Sequence, residues 1–487
     1  MANVTFPFPF PDHLWALLPE ILVAVLAMAL LIVDLFVPKD RKHLTGYLSL
    51  ATILVAGVAL IQVGGGTPVT AFYGFFTLDP FAVFSKWLIL AGTAIAIIMS
   101  LDYIRTEENV GEYFVLMLFA MLGMMLLVSA NNFVTMYLGI ELMALSIYVL
   151  VGYQRDTLRS NEAALKYFIL GSLSSGMLLY GITFFYGVTS SLDFKHIGDA
   201  LAAASSSEHT AVLLGLVFIL AGLAFKVSMA PFHMWTPDAY EGAPTPITAF
   251  MSAAPKVAGF VVFVRIVADA LPALEHETMM ILSGIAVLTM AIGNLAAIAQ
   301  RNIKRMLAYS TIGHVGFVTL GLIAGSGSGY AGILVYLAIY LFMGMGAFTV
   351  IVLMRREGIQ GELLDDFAGL AKVRPGYALA MGLLLFSLAG IPFLGGFWAK
   401  YAVFIAAMQA GHIYLVIYAL LFSVVGAFYY IRVVKYMYFD EARVPFNFSE
   451  NRLMQATVAL TAIAVVLLGI YPDPLMELCR QAVVGIG

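Results

Sequence analysis

The chain has 487 residues, 62% of them hydrophobic and only 11% charged, with a formal net charge of −4. Soluble domains are nearer half apolar and a quarter charged, so this composition is that of a polytopic membrane protein. The net acidity excludes a basic nucleic-acid-binding surface, and the single cysteine, Cys479, cannot form an internal disulfide or hold an iron–sulfur cluster by itself.

The opening MANVTFPFPFPDHLW lacks a basic n-region, so the first apolar segment is expected to be retained. About 20 apolar residues cross a bilayer as a helix, and fourteen such spans are predicted. The first six lie at about 14–37, 44–63, 79–101, 111–129, 131–152 and 161–187. The seventh starts near 210 and breaks near Pro231, and the eighth runs over about 246–268. The ninth to eleventh cover about 277–299, 303–324 and 329–354. The twelfth starts near 376, is interrupted at Gly390-Ile391-Pro392 and Gly395-Gly396, and resumes to about 410. The last two are about 412–438 and 453–471. Segments 192–205 and 357–372 read as surface-lying helices, and Gly325-Ser-Gly-Ser-Gly as a flexible loop.

Lys and Arg set the orientation. The loops after odd-numbered spans, with the span ends that border them, carry 16 of them, whereas the other loops and the termini hold only Lys195 and Arg480. The odd loops are therefore expected to be cytoplasmic and both termini outside.

Seven basic residues remain within spans: Lys86, Lys166, Lys226, Lys256, Arg265, Lys400 and Arg432. Arg265 and Arg432 are expected to snorkel toward the interfaces. Lys86 is placed one or two turns inside the third span. Lys166, Lys226, Lys256 and Lys400 form a deep or break-associated set, joined by one central acid, Glu141, and by His314 in the tenth span. Four lysines and one carboxylate cannot all be neutralised as pairs. A lysine held away from water releases its proton more readily than in solution, so Glu141 near one lysine would make a switchable proton site. Imidazole titrates near neutrality and can relay protons. The competing reading is a set of buried pairs that only fix packing.

Proline cannot donate a helix hydrogen bond. Pro231, Pro237, Pro244 and Pro246, between Lys226 and Lys256, must break a helix. Broken backbone at membrane depth is tolerated only inside protein or beside water. His233, Trp235, Asp238 and Glu241 follow the break and read mainly as groups that satisfy the freed backbone. Leu220-Ala-Gly before Lys226 and Leu388-Ala-Gly before Lys400 suggest a duplication. Its units of five spans would be inverted in the membrane, a transporter signature. The run Gly327-Ser-Gly-Tyr-Ala-Gly fits GxGxxG but follows no strand, so it is no dinucleotide site. There is no Walker A sequence, and the histidines are too scattered for paired haem ligands. Energy for transport must come from a gradient or a partner.

The run KVSMAPFHMWTPDAYEGAPTPITAFMSAAPKVAGF resembles the signature of the antiporter-like subunits of respiratory complex I and of Mrp-type sodium/proton antiporters. Within that superfamily the chain looks most like the N-type subunit of NADH:quinone oxidoreductases. The opening LLPEILVAVLAMALLIVDLF, Lys400 in the twelfth span and the short tail after the last span carry that likeness. The resemblance implies an all-α polytopic fold of about 14 helices. Peripheral helices would occupy 1–110, the first five-helix repeat 111–268, the inverted second repeat 277–438, and a last helix 453–471. It implies proton-channel roles for Glu141, Lys166, Lys226, Lys256 and Lys400, and for His314 on a less exact match. It implies no cofactor in this chain, with flavin, iron–sulfur clusters and quinone in partner subunits. The implied partners are other complex I subunits, especially neighbouring antiporter-like and small membrane-arm subunits, with membrane lipid and no nucleic acid. The implied place is the bacterial inner membrane. A cation/proton antiporter of the Mrp type, or the membrane subunit of a hydrogenase-like complex, is the alternative.

Overall fold

The computed structural model describes residues 12–38, 41–105, 107, 109–203, 208–355, 361–441 and 451–486. The expectation for the leader at 1–11 lies outside them. The chain is built from helices: α1 (Leu18–Asp34), α2 (Leu44–Gly64), α3 (Pro80–Tyr103), α4 (Val110–Val128), α5 (Phe133–Val151), α6 (Leu158–Thr189), α7 (Phe194–Ala202), α8 (His209–Val227) and α9 (Trp235–Gly242). There follow α10 (Thr245–Arg265), α11 (Glu275–Ile298), α12 (Ile303–Ile323), α13 (Gly327–Leu353), α14 (Pro375–Ala389), α15 (Gly395–Gln409), α16 (Ile413–Phe439), α17 (Arg452–Ile470) and α18 (Asp473–Ala482). Among the described residues, twelve helices are long and apolar enough to cross a membrane. The 17-residue α1 and the broken pair α14/α15 stand at the predicted first and twelfth spans.

Polar residues start these helices where the first backbone N–H groups lack partners. Asp79 accepts from Ala82 N ahead of α3, where Pro80 occupies the first turn. Asn132 caps α5, Asn302 caps α12 and Ser326 caps α13. Burial then sorts the helices. The span Thr245–Ala270 is wholly buried over its most apolar window, and α12 and α13 are 94% buried over theirs, against 28% for α16. A helix apolar all round belongs in a core, so α10, α12 and α13 form the centre and α16 faces outward.

Several local expectations change. A short hairpin, β1 (Val69–Ala71) with β2 (Phe76–Leu78), joins α2 to α3, where no strand was expected. The predicted surface helix near 192–205 is α7. Of the predicted surface helix 357–372, residues 357–360 lie outside the described residues, and the remainder forms short turns at Leu364–Phe367 and Leu370–Val373. The glycine-serine loop is instead largely the first turn of α13, because the Ser326 side chain accepts from Gly329 N and starts the helix. Arg265 does not snorkel. Its Nη2 donates to Asp79 Oδ1 at 2.8 Å and its Nε to Val128 O at 3.0 Å, tying α10 to the start of α3 and the end of α4. Arg432 likewise donates to Ile298 O and Gln300 O, filling carbonyls left open at the end of α11.

Candidate functional site

Two breaks organise the interior. The first separates α8 from α9. Ser228 ends α8 in the left-handed region (φ 70°), and the freed Ala230 N–H donates to Thr289 Oγ1 at 2.9 Å. The Trp235 indole N–H donates to Phe225 O at 3.1 Å, as expected of a group that satisfies broken backbone. The second break separates α14 from α15. Gly390 ends α14 at φ +89°, and Gly396 N donates to Ser387 Oγ at 2.9 Å. At the first break Ser228, Met229 and Ala230 are buried, where irregular backbone can persist, while Pro231 and Met234 are exposed; at the second, Ile391, Pro392 and Phe393 are exposed and Leu394 is buried.

Glu141 lies at the middle of α5, and Lys226 in the last turn of α8. They meet through Ser175 of α6. The Ser175 hydroxyl donates to Glu141 Oε1 at 2.5 Å, and Lys226 Nζ donates to Ser175 Oγ at 3.0 Å. Opposite charges about 5.5 Å apart attract by roughly 3 kcal/mol at an effective dielectric of 20. Sequence reasoning missed Ser175, since a serine in a helix carries no signal of its own.

Lys256 lies mid-way along α10 and is 2% exposed. Its Nζ donates to Ser228 Oγ at 2.5 Å, the hydroxyl that also accepts from Thr236 Oγ1 at 2.7 Å. The Trp235 ring lies 5.2 Å from the ammonium, close enough for a cation–π contact. Breaking the helix thus supplies both a hydroxyl and an aromatic face to one lysine.

His314 is buried on α12. Its Nδ1 lies 2.6 Å from Tyr336 Oη on α13, and its Nε2 2.9 Å from Tyr430 Oη on α16. Tyr430 is in turn bonded to Ser310. An imidazole between two phenols can accept a proton on one nitrogen and give one up from the other. The two tyrosines were lost among 24 in the sequence.

Lys400 stands beyond the second break, in α15. Its Nζ donates to Ala389 O at 2.7 Å and to Ser423 Oγ at 2.8 Å. It forms no ion pair among the described residues. Beside it lies a largely apolar crevice of about 290 Å³, lined in part by Phe397, Tyr401, Met408 and Leu420. The expected mirror of Lys226 is therefore inexact, because Lys226 precedes its break and Lys400 follows its own.

Lys166 departs from expectation most. Its side chain is 46% exposed and pairs with Glu162 at 2.7 Å and Asp238 at 3.0 Å. The reason is length. At 32 residues, α6 extends about 48 Å, well beyond the roughly 30 Å hydrocarbon layer, so its ninth residue stands near an end. Asp238 and Glu241 also do more than satisfy backbone. Arg305 reaches Asp238 at 2.6 Å and Glu241 at 2.8 Å, while Arg159 bonds Glu241 at 2.5 Å and Glu362 at 3.2 Å. Lys304 joins Glu362 at 2.9 Å and donates to Ala243 O at 2.7 Å. This cluster ties α6 and α9 to α12.

The inventory of one intramembrane carboxylate was also incomplete. Glu20, in the first turn of α1, meets Lys86 of α3 at 2.6 Å, with both side chains almost fully buried. The signal was present in LLPEIL: an acid opening an apolar span. Removing one member of such a pair leaves an uncompensated charge and costs about 3–5 kcal/mol.

Residues 130–426 match the family described as NADH:quinone oxidoreductase/Mrp antiporter, TM. The NADH-quinone oxidoreductase subunit N of Paramagnetospirillum magneticum is 46% identical over 472 residues, which cover 96% of each chain. The chain belongs to this family. Among solved structures, a chain of respiratory complex I from Thermus thermophilus superposes with a TM-score of 0.82 at 31% identity, over 95% of this chain and all of that one. A chain of the Mrp complex from Dietzia superposes at 0.84 with 22% identity, over 97% of both chains, and shows a shared fold. This is thus a multi-pass, all-α membrane protein of the antiporter-like family, and the buried polar groups above lie inside that fold.

Proposed function

We propose that the chain is a proton-translocating membrane-arm subunit of a bacterial NADH:quinone oxidoreductase. The observation that carries this reading is the Glu141–Ser175–Lys226 link beside a broken, buried helix. An acid and a lysine joined by one hydroxyl can be coupled or uncoupled by a small shift. Intramembrane ionisable groups of this kind mark ion pathways. Lys256, His314 and Lys400 continue the relay, each on hydroxyl or carbonyl partners, and Lys166 with Asp238 stands at its exposed mouth. Lys400 is the outward-side site. The helices around the first break and those around the second form two five-helix units of inverted topology, over 111–268 and 277–438. Both termini face the periplasm, in the bacterial inner membrane.

Flavin, iron–sulfur clusters and quinone belong to partner subunits, and neighbouring antiporter-like and small membrane-arm subunits flank this one. Redox chemistry elsewhere drives the separation of Glu141 from Lys226. Each charge moved across the membrane potential costs about 2.3 kcal/mol per 100 mV, which a relay without a partner could not supply. The chain purified alone and reconstituted should therefore not oxidise NADH, and NADH-driven quinone reduction by it alone would overturn the reading. In the assembled complex, Lys400→Ala should lower proton pumping and coupled quinone reduction. NADH oxidation with an artificial acceptor should persist. Wild-type pumping by that variant would remove Lys400 from the path.

A further inference from the structure

One cavity has none of the relay residues in its lining. It encloses about 570 Å³ between the start of α13, the second half of α15 and α18, within the roughly 300–1,000 Å³ of small-molecule sites. Its walls include Ala331, Val335, Ile405 and Met476, and its rim carries Ser328, Gln409 and Arg480. A Cβ added to Gly327 would meet no atom within 4 Å, so the space is open at that end. Of the GxGxxG run, Gly327 and Gly332 line the cavity, whereas Gly329 packs against Gly321 of α12.

The charge pattern says what the cavity takes. Arg480 is one of only two basic residues in the loops and termini of its side, the side where the positive-inside rule disfavours them. Its guanidinium is exposed and, among the described residues, meets only Glu477, at 3.6 Å. An ion pair so open to solvent is weak, and a guanidinium has five donors to offer. The start of the 27-residue α13 adds a positive helix end beside it. An apolar chamber at the end of membrane spans, with a cation at its mouth, has the polarity of an anionic phospholipid. The chamber is also continuous with function. Tyr401 and Ile405 line both this cavity and the crevice beside Lys400.

We propose that an anionic phospholipid occupies this cavity. Its phosphate meets Arg480 and the start of α13. An acyl chain lies along α15 against Tyr401 and Ile405 and seals Lys400 from the bilayer. The second half of the proposal rests on the role of Lys400 given above; the binding site does not.

The test uses the purified complex that contains this chain, stripped of lipid and exposed to photoreactive phosphatidylglycerol or phosphatidylcholine. Phosphatidylglycerol should label peptides from α13, α15 and α18 in preference to phosphatidylcholine. Arg480→Gln should weaken that labelling by up to about fivefold, as expected for losing an ion pair at an exposed site. Arg480→Lys should keep part of it, and Ala331→Leu should block it by filling the chamber. Equal labelling by both lipids, labelling untouched by Arg480→Gln, or cross-linking of a neighbouring subunit into the cavity would each overturn the lipid site. In vesicles, pumping by the wild type should rise when phosphatidylglycerol is added to phosphatidylcholine, and Arg480→Gln should lose that response. Normal labelling without any lipid effect on pumping would retain the site and refute its sealing of Lys400. A complex that labels normally but never pumps would overturn the proposed function alone.

Discussion

The two breaks solve one backbone problem with opposite residues. Each first half-helix ends in the left-handed region, at Ser228 and at Gly390. At Ser228 the side chain is retained, and its hydroxyl receives Lys256. At Gly390 the side chain is absent, and the vacated space holds Lys400: a Cβ there would stand 2.9 Å from the ammonium. One break thus adds a partner for a lysine, and the other makes room for one. The charges differ accordingly. Near the first break, Lys226 is linked to a carboxylate through Ser175. Near the second, Lys400 has among the described residues a carbonyl, a hydroxyl and the face of Phe317 at 5.2 Å, and the neighbouring chemistry is the Tyr336–His314–Tyr430 chain. Under the proposed function, the first region would be switched by moving a charge and the second would respond to an arriving proton.

The largest effect should come from erasing the charge that distinguishes the first region. Glu141→Gln preserves shape and hydrogen bonding but removes the attraction on Lys226. A change of about 1.4 kcal/mol already shifts a protonation ratio tenfold. Pumping by the assembled complex should therefore fall at least about tenfold, with Glu141→Asp retaining part of it. If Gln pumps as well as Asp, with assembly verified, the pair is only packing.

Next in size is Gly390→Ala. A left-handed backbone costs an L-residue about 1–2 kcal/mol, and the new methyl pushes the Lys400 ammonium off Ala389 O. Thermal unfolding of the complex should show a modest loss of stability and proton flux a larger one. Equal losses in both would mean that Lys400 itself was not displaced. Ser228→Gly runs the comparison the other way. The backbone accepts glycine readily, but Lys256 loses its hydroxyl, and an unsatisfied buried donor costs about 1–3 kcal/mol. Pumping should drop; unaltered pumping in the glycine variant would show that Lys256 needs no acceptor there. The smallest effect is expected for Lys166→Ala. Exposed ion pairs contribute about 0–1 kcal/mol, so stability should barely move and pumping should fall less than in Glu141→Gln. A loss as large as that of Glu141→Gln would put Lys166 within the switch despite its exposure.

Much of the fold was legible because the bilayer imposes it. Spans need length and apolarity, and the breaks announce themselves through Pro231 and Pro392 beside glycine and polar residues. Glu141, Lys226, Lys256 and Lys400 stood out because charge is rare in such segments. Lys166 misled for a related reason: it was grouped with Lys226, Lys256 and Lys400 by residue type, although it stands only nine residues into a 32-residue helix. Glu20 was overlooked because acids near a span's start look like ordinary interface residues. Ser175, Tyr336 and Tyr430 had no signal, since serine and tyrosine are common within membrane helices and gain meaning only from what they face.

By itself the sequence determined that this chain lives in a membrane, where its helices run, where two of them break, and that Lys226, Lys256 and Lys400 are out of water. Those properties depend on the transfer of each segment between water and hydrocarbon, a sum over local residues. Tertiary structure alone decided who meets whom. It set Ser175 between Glu141 and Lys226, paired Glu20 with Lys86, gave Lys256 the hydroxyl of Ser228, and left Lys400 beside an apolar crevice. Each pairing depends on the rotation and depth of one helix against another. Those are fixed by side-chain packing across the whole bundle, and no single segment encodes them.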